Sequence, residues 1–277
     1  MKTRAASKER YNWIAFAILT VGVIIVIFPF VWVILSAFKN NADVYAYPPK
    51  WLPSQFNLDN FKKVFQYTPF GLYYLNSIAV TAALTFSQIA ISVLAAYALA
   101  KLNFPFKDKV FLVILSTMLM PAVVTLVPLF LIVSEFGWVN TYAGLIIPEI
   151  FGAFTIILIR QFFMQVPDEL IDAAKLDGCG HFRILTNVML PNAMPAIATS
   201  TLFSFLSHWG SYLWPLVVIN TTKLRTLPIG LKYLVTESSS EYQVMMAAAL
   251  MAIVPVLIVY LFTEKQFIKS ITLTGLK

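Results

Sequence analysis

Charge is scarce in this sequence. Only 12% of its 277 residues are Asp, Glu, Lys or Arg, about half the share of an ordinary soluble domain. Histidine occurs twice and cysteine once, at Cys179. A single cysteine excludes an intrachain disulfide and a cysteine-based metal site, and Cys179 reads as an inert thiol between Gly178 and Gly180. None of the ten glycines precedes a lysine, which excludes a phosphate-binding P-loop. His-Glu-x-x-His, Gly-x-Ser-x-Gly and paired metal carboxylates are missing too. No catalytic residue, metal site or cofactor site is expected in this chain.

Apolar residues fill the sequence instead: 59% are hydrophobic, and the mean hydropathy is +0.78. A helix that crosses a bilayer takes about 20 of them. Six runs qualify: 13–38, 76–100, 110–134, 143–163, 193–219 and 244–262. They predict an all-α integral membrane protein of six transmembrane helices over 13–264, with a short N-terminal segment 1–12 and a tail 265–277. The first run is too long for a signal-peptide core and has no small-residue cleavage site, so it reads as a retained span. Pro29, Pro121, Pro128, Pro148, Pro195, Pro215 and Pro255 fall inside the runs and predict bends.

Basic residues set the orientation. Four Lys and Arg precede the first run, three lie in 101–109, three in 160–191 and three in the tail, which makes 13 on one side. The other side has four in 39–72 and three in 220–243, which makes seven. The richer side is cytoplasmic, so both termini and the 166–191 loop are expected inside. The net charge of +7 then follows from membrane topology, and nucleic acid is not an expected partner. The outer segment 39–72 is rich in aromatics and proline (Tyr45, Tyr47, Pro48, Pro49, Trp51, Pro53), with a short amphipathic helix over 58–66 capped by Asn57. Its aromatics fit either an interfacial belt and local packing or contact with an external partner.

The polar loop 166–191 carries the most specific pattern. Asp172-Ala173-Ala174-Lys175-Leu176-Asp177-Gly178 is followed, nine residues later, by Val188-Met189-Leu190-Pro191. Pro167 suits a first helical turn, and Asp168, Glu169 and Asp172 suit a helix N-terminus. A helix over 168–177 would stop at Gly178 and Gly180, which can take φ > 0. A second over 181–190 would end before Pro191.

This loop resembles the "EAA" loop of ABC-importer permeases, with Asp for the usual Glu and Val for the usual Ile. Other segments resemble the carbohydrate-type branch, the second permease of maltose transporters in particular. They are Tyr47-Pro48-Pro49-Lys50-Trp51-Leu52-Pro53, Asn60-Phe61, Asn76-Ser77, Ala96-Tyr97-Ala98-Leu99-Ala100-Lys101, Phe104-Pro105, Met120-Pro121, Pro128-Leu129, Trp214-Pro215-Leu216, Thr226-Leu227-Pro228-Ile229-Gly230-Leu231, Ala247-Ala248-Ala249 and Ile253-Val254-Pro255. The resemblance runs from about Phe28 to the end.

The resemblance implies a type I ABC-importer permease fold and a non-catalytic subunit in a bacterial or archaeal cytoplasmic membrane. It implies a second homologous permease, two cytoplasmic ATPase subunits that hold ATP and Mg, and an extracytoplasmic solute-binding protein. Alternating access would import a sugar or oligosaccharide, with glycerol-3-phosphate or another polar solute as the alternative. An ion-coupled secondary transporter is a distant alternative, without the internal repeats that class typically shows. The ATPase-docking residues implied are Asp172, Ala173, Ala174, Lys175, Asp177, Gly178, His181, Arg183, Leu190 and Pro191. Two departures stand out. His208-Trp209-Gly210-Ser211-Tyr212 replaces the family's frequent Trp-Asn-acid, and the tail ending in Leu276-Lys277 is short.

Polar residues within spans are candidates for a pathway. Ser204, Ser207, His208 and Ser211 recur at helical spacing, and Tyr212, four after His208, adds an aromatic plate. Glu149 lies at the outer end of the fourth run, and Thr81, Thr85, Gln88 and Ser92 form a polar seam in the second. Substrate contact and helix packing both fit these residues.

Overall fold

The computed structural model describes residues 2–238 and 241–274, with side chains over 13–238 and 241–265. The basic N-terminal side chains and the last residues of the tail lie outside that description. Every regular element described is helical. In chain order they are α1 Lys2–Ala37, α2 Asn41–Val44, α3 Asp59–Tyr67, α4 Phe70–Lys101, α5 Lys107–Thr117, α6 Ala122–Glu135, α7 Tyr142–Ile146, α8 Ala153–Met164, α9 Asp168–Leu176, α10 His181–Ile184, α11 Leu190–Asn192, α12 Met194–Trp209, α13 Leu213–Val218, α14 Leu227–Glu237 and α15 Tyr242–Thr274.

Three helices are long and apolar enough to cross a bilayer alone, within α1, α4 and α15. The third and fourth expected runs are broken: α5 and α6 meet at 101°, and α7 with its following 3-10 turn meets α8 at 42°. Proline position explains which runs break. Pro121 is the extended residue before α6 (φ −60, ψ 130), and a proline disfavours the helical region for the residue before it. Pro148 lies in the 3-10 turn ahead of Gly152, itself extended at φ −125, ψ 95. Pro29 and Pro255 stay inside continuous helices. The fifth run is divided into α12, of 16 residues, and α13, of six. The first and last runs extend further than their apolar stretches, because α1 begins at Lys2 and α15 continues to Thr274.

The chain divides into two compact units, Met1–Pro69 with Leu231–Ile253, and Phe70–Gly230 with Val254–Lys277. In the first, the most apolar window of α1 has no buried residue, so its side chains need an outside apolar medium. The buried groups lie just beyond its end. Lys39 is fully buried, with Nζ donating to Lys50 O at 2.7 Å and lying 4.0 Å from the Trp32 ring centroid. The buried Asn60 donates to the Ala37 and Lys39 carbonyls, both at 2.8 Å. Asn57, the expected cap, sits one residue before the observed cap position. Its side chain accepts the Asp59 N–H at 2.8 Å, and Leu58 occupies the cap without a side-chain bond. Lys63 pairs with Glu241 at 2.8 Å.

Asp43 anchors the same segment. It accepts from Lys50 Nζ at 2.7 Å, Ser54 N–H at 2.8 Å and Ser54 Oγ at 2.7 Å. The Lys50 ammonium, then the two Ser54 donors, pull its carboxyl down to about 2, against about 3.9 for a free aspartate. A depressed acid stabilises the fold above its unfolded pKa and loses that contribution as pH falls through the folded one. Protection of the Ser54 amide against hydrogen exchange, corrected for intrinsic rate, is therefore expected to fall between about pH 4 and pH 2. Asp43→Asn is expected to lack that step and to show weaker protection at neutral pH.

In the second unit, α4 packs along α8 and α12. A core of Val93, Ala96, Tyr97, Ile159, Phe163, Met189 and Ala196 runs along this contact. At one end of α4, Asn76 donates to the Lys223 and Arg225 carbonyls at 2.8 and 3.0 Å and accepts from Tyr142 Oη at 2.8 Å. Ser77 Oγ accepts the Leu227 N–H at 2.6 Å. These bonds satisfy polar side chains that would otherwise be costly to bury.

Candidate functional site

The loop 166–191 forms a rigid bracket. Helix α9 follows Pro167 and carries Asp168 and Glu169 in its first turn. At its end the Gly178 N–H bonds to Lys175 O and the Cys179 N–H to Ala174 O, both at 2.9 Å. This pair of 5→2 and 6→1 bonds is a Schellman motif, which needs a left-handed residue between. Gly178 supplies it with φ +76, whereas Gly180 has an ordinary φ of −75 and precedes α10. The second arm does not stop before Pro191. It widens into a π turn over Leu185–Met189, with Leu190 N–H reaching back to Leu185 O, and continues through Pro191 to Asn192. Proline lacks an N–H and crowds the carbonyl four residues back, and the widened turn removes the need for that bond.

One side of the bracket is packed and the other is open. Ile171, Ile184, Leu185 and Met189 join the core with Tyr97, Ile159, Phe163 and Val166. Asp172, Ala173, Lys175, Asp177, Gly178, His181 and Arg183 are exposed, Ala174 and Leu190 are half-buried, and Pro191 is exposed. Leu176, 89% exposed, and Phe182, 75% exposed, flank the Gly178 turn. Sequence reasoning, drawn to the polar residues, passed over these two; their signal is an apolar residue on each side of a glycine turn in a polar loop. The Lys175–Asp172 pair, 3.0 Å apart and exposed at both partners, contributes little.

Three ties bind the bracket and its stem to α4. Lys101 Nζ donates to Val166 O and to Asp168 Oδ1, both at 2.6 Å. That ammonium lowers the Asp168 pKa. Tyr97 Oη and His181 Nδ1 lie 3.1 Å apart. Arg160 donates to Leu99 O at 3.2 Å while its guanidinium stacks 4.0 Å from the Phe111 centroid.

The polar residues of α4 and α12 meet further along the helices. Gln88 Oε1 accepts from Ser204 Oγ and lies 3.2 Å from His208 Nε2. With Gln88 Oε1 as acceptor, the His208 proton sits on Nε2. The three side chains are buried together. A Cβ on Gly152 would enter the Gln88 side chain, so glycine there makes room for the network. Beside it opens a cleft of about 500 Å³, lined by Gln88, Ser204, Ser207, Phe154, Phe203 and residues of the α5–α6 break, Thr117, Met118 and Met120. Ser207 is exposed. Glu149 and Ser211 line a second cavity of about 190 Å³ with Trp214 and Thr125. Thr85 is buried, with Oγ1 unpartnered among the described residues. Tyr212 is not on the α12 face: the helix ends at Trp209, and Gly210, Ser211 and Tyr212 form the break before α13. Gly210 and the proline at 215 set that break, where a continuous helix was expected.

Comparison with known proteins agrees with this architecture. Residues 88–266 match the family of binding-protein-dependent transport system inner membrane components. The arabinooligosaccharides transport system permease protein AraQ of Halalkalibacterium halodurans is 32% identical over 269 residues, 94% of this chain and 96% of that protein. The sn-glycerol-3-phosphate transport system permease protein UgpE of Agrobacterium fabrum is 33% identical over 270 residues, with the same coverage of 94% and 96%. A chain from a bacterial ABC transporter involved in import of the acidic polysaccharide alginate superposes with a TM-score of 0.83 at 27% identity, covering 94% of this chain and 98% of that one. Seen with these relatives, a helical bracket pinned to a long polar-seamed helix beside a cleft is the framework of a transport subunit, and this chain belongs to the family of binding-protein-dependent transport system inner membrane components.

Proposed function

We propose that this chain is one of two permease subunits of an ATP-driven importer for sugars or oligosaccharides. The observation that carries this reading is the bracket: a packed inner face tied to α4 and an open outer face rich in small, charged and apolar knobs. Six spans would place both termini and the bracket in the cytoplasm of a bacterial or archaeal cell. There Asp172, Ala173, Ala174, Lys175, Asp177, Gly178, His181 and Arg183, with Leu176 and Phe182, would seat in an ATPase subunit. Leu190 and Pro191 would serve the stem rather than the contact. The chain itself is non-catalytic in this reading, and ATP and Mg belong to two separate ATPase subunits. An extracytoplasmic solute-binding protein would deliver the solute on the opposite side. Each partner drives the cycle only through unequal affinity for the inward- and outward-open states.

The carbohydrate class rests on the arabinooligosaccharide relative and the alginate-importer neighbour. The glycerol-3-phosphate relatives support the alternative solute. Gln88, Ser204 and Ser207 at the cleft, His208 beside Gln88, and Glu149 and Ser211 at the second cavity, together with Tyr212 and Thr85, offer hydroxyl, amide and aromatic groups of the kind that hold a sugar.

The test is purification of the intact complex and measurement of its ATP hydrolysis with candidate loaded binding proteins. Stimulation by a sugar-loaded one is expected. An intact chain that carries no ATPase, from membranes where one is expressed, would overturn the reading. The Lys101 tie gives a narrower check. Lys101→Met leaves the Val166 carbonyl and the exposed Asp168 without their shared donor. Uptake per ATP hydrolysed is expected to fall, with complex assembly retained.

A further inference from the structure

Three of the basic residues that orient the chain have a second task at the end of α4. A helix leaves its last carbonyls without partners, and its dipole makes that end attractive to cations. Here the cations come from two neighbouring helices and from α4 itself. Arg160 of α8 donates from Nε to Leu99 O at 3.2 Å. Lys107, the first residue of α5, donates from Nζ to Leu102 O at 2.9 Å and to Ala100 O at 3.4 Å. Lys101, the last residue of α4, reaches the bracket stem at Val166 O and Asp168. The end of α4 is therefore a socket shared by α5, α8 and the bracket.

Arg160 spans this socket. Its guanidinium lies 4.0 Å from the Phe111 ring centroid of α5 while Nε holds α4. A planar guanidinium can stack and donate at once, which a lysine ammonium cannot match. Within this chain α5 buries no side chain, so its near end is fixed by Lys107 and by the Phe111 face. The turn that leads into it is fixed as well. Phe106 stands there at φ +63, a left-handed conformation that is costly for a large side chain and persists where surrounding contacts impose it. From Lys107 to Thr117 the helix rises about 15 Å. At its far end Thr117, Met118 and Met120, at the break before α6, line the cleft of about 500 Å³ with Ser204 and Ser207. One helix thus joins the socket at the bracket to the wall of the cleft.

We propose that Arg160 is a positioning residue that clamps α5 to α4 and α8, and that α5 carries movement of the bracket to the cleft. The proposal rests on the reading of the chain as an ATP-driven permease and names the part within it that transmits. Every contact of the clamp lies within this chain.

The test uses the whole complex in lipid nanodiscs, with the binding protein that stimulates it, in a Cys179→Ser background. Nitroxide labels at Leu119→Cys, beside the α5–α6 break, and at Leu206→Cys, next to Ser207 on α12, report the separation of the break from α12 by pulsed electron paramagnetic resonance. It is measured without nucleotide and with ATP and vanadate. The parent separation is expected to shift by several ångström. In Arg160→Lys and in Phe111→Leu the shift is expected to fall by at least about half. In the double variant it should fall no further, because both changes remove one contact. ATP hydrolysis stimulated by the binding protein should persist in all three. A parental shift in either single variant, or losses that combine independently, would overturn the clamp. So would loss of stimulated hydrolysis together with the shift, which would make Arg160 a residue of the fold alone. A parent separation that ignores ATP would overturn α5 as the lever. If Arg160→Lys does not assemble, Phe111→Leu carries the test alone. A complex without ATPase activity would instead overturn the permease reading itself.

Discussion

Gly178→Val is expected to disconnect ATP hydrolysis from transport. The left-handed conformation at this position, φ +76, costs a side-chain-bearing residue roughly 1–2 kcal/mol, more for a β-branched one. That alone lowers the population of the correct turn by about 5- to 30-fold. An added Cβ meets nothing within 4 Å, so the penalty is conformational, not a clash, and the packed face with Ile171 and Ile184 is untouched. The variant should assemble in the membrane, while Leu176 and Phe182 lose their fixed relation. We expect solute uptake to fall by at least about fivefold and stimulation of the ATPase by loaded binding protein to disappear. Gly178→Asn, which tolerates the left-handed region, should keep most of both. Equal uptake by the valine variant and the parent protein would rule out a rigid turn as the coupling element.

Ser207→Trp should close the pathway. Ser207 is exposed at the edge of the cleft of about 500 Å³, and neither the Gln88–Ser204 bond nor His208 depends on it. An indole there occupies the opening without breaking the buried network. We expect at least a tenfold loss of uptake, about 1.4 kcal/mol on the barrier, with the complex still assembled. Uptake by reconstituted vesicles measures it directly. Unchanged uptake would move the pathway off this face of α12 and leave Ser204 and Gln88 as packing residues.

Much of the framework was legible in the sequence because it rests on local rules. Apolar length marks α1, α4 and α15, and the acids after Pro167 with Gly178 ten residues on delimit α9. Other features depend on which neighbour a residue meets. Pro121 breaks its run and Pro128 does not, although both lie within one apolar stretch. Pro128 sits inside α6, whereas Pro121 stands where the chain turns by 101°. The Ser204–Ser211–Tyr212 stripe was drawn on an unbroken helix, and Gly210 ends that helix first. The π turn before Pro191 has no sequence period of its own. Burial of Lys39 was invisible as well, because its carbonyl partner and the Trp32 ring come from separate stretches of chain.

The contrast between α1 and α4 bears on how the protein is made. The apolar window of α1 has a mean hydropathy of 3.0 and no buried share, whereas that of α4 has 1.9 with 39% buried. A helix of the first kind is stable in lipid as soon as it leaves the translocon. One that carries Gln88 exposes an amide to hydrocarbon until its partners arrive. For Gln88 those partners, Ser204 and His208, are synthesised 116 and 120 residues later. The α4 helix is thus left incomplete through much of synthesis, and a nascent chain halted before α12 should be the form that membrane quality control recognises.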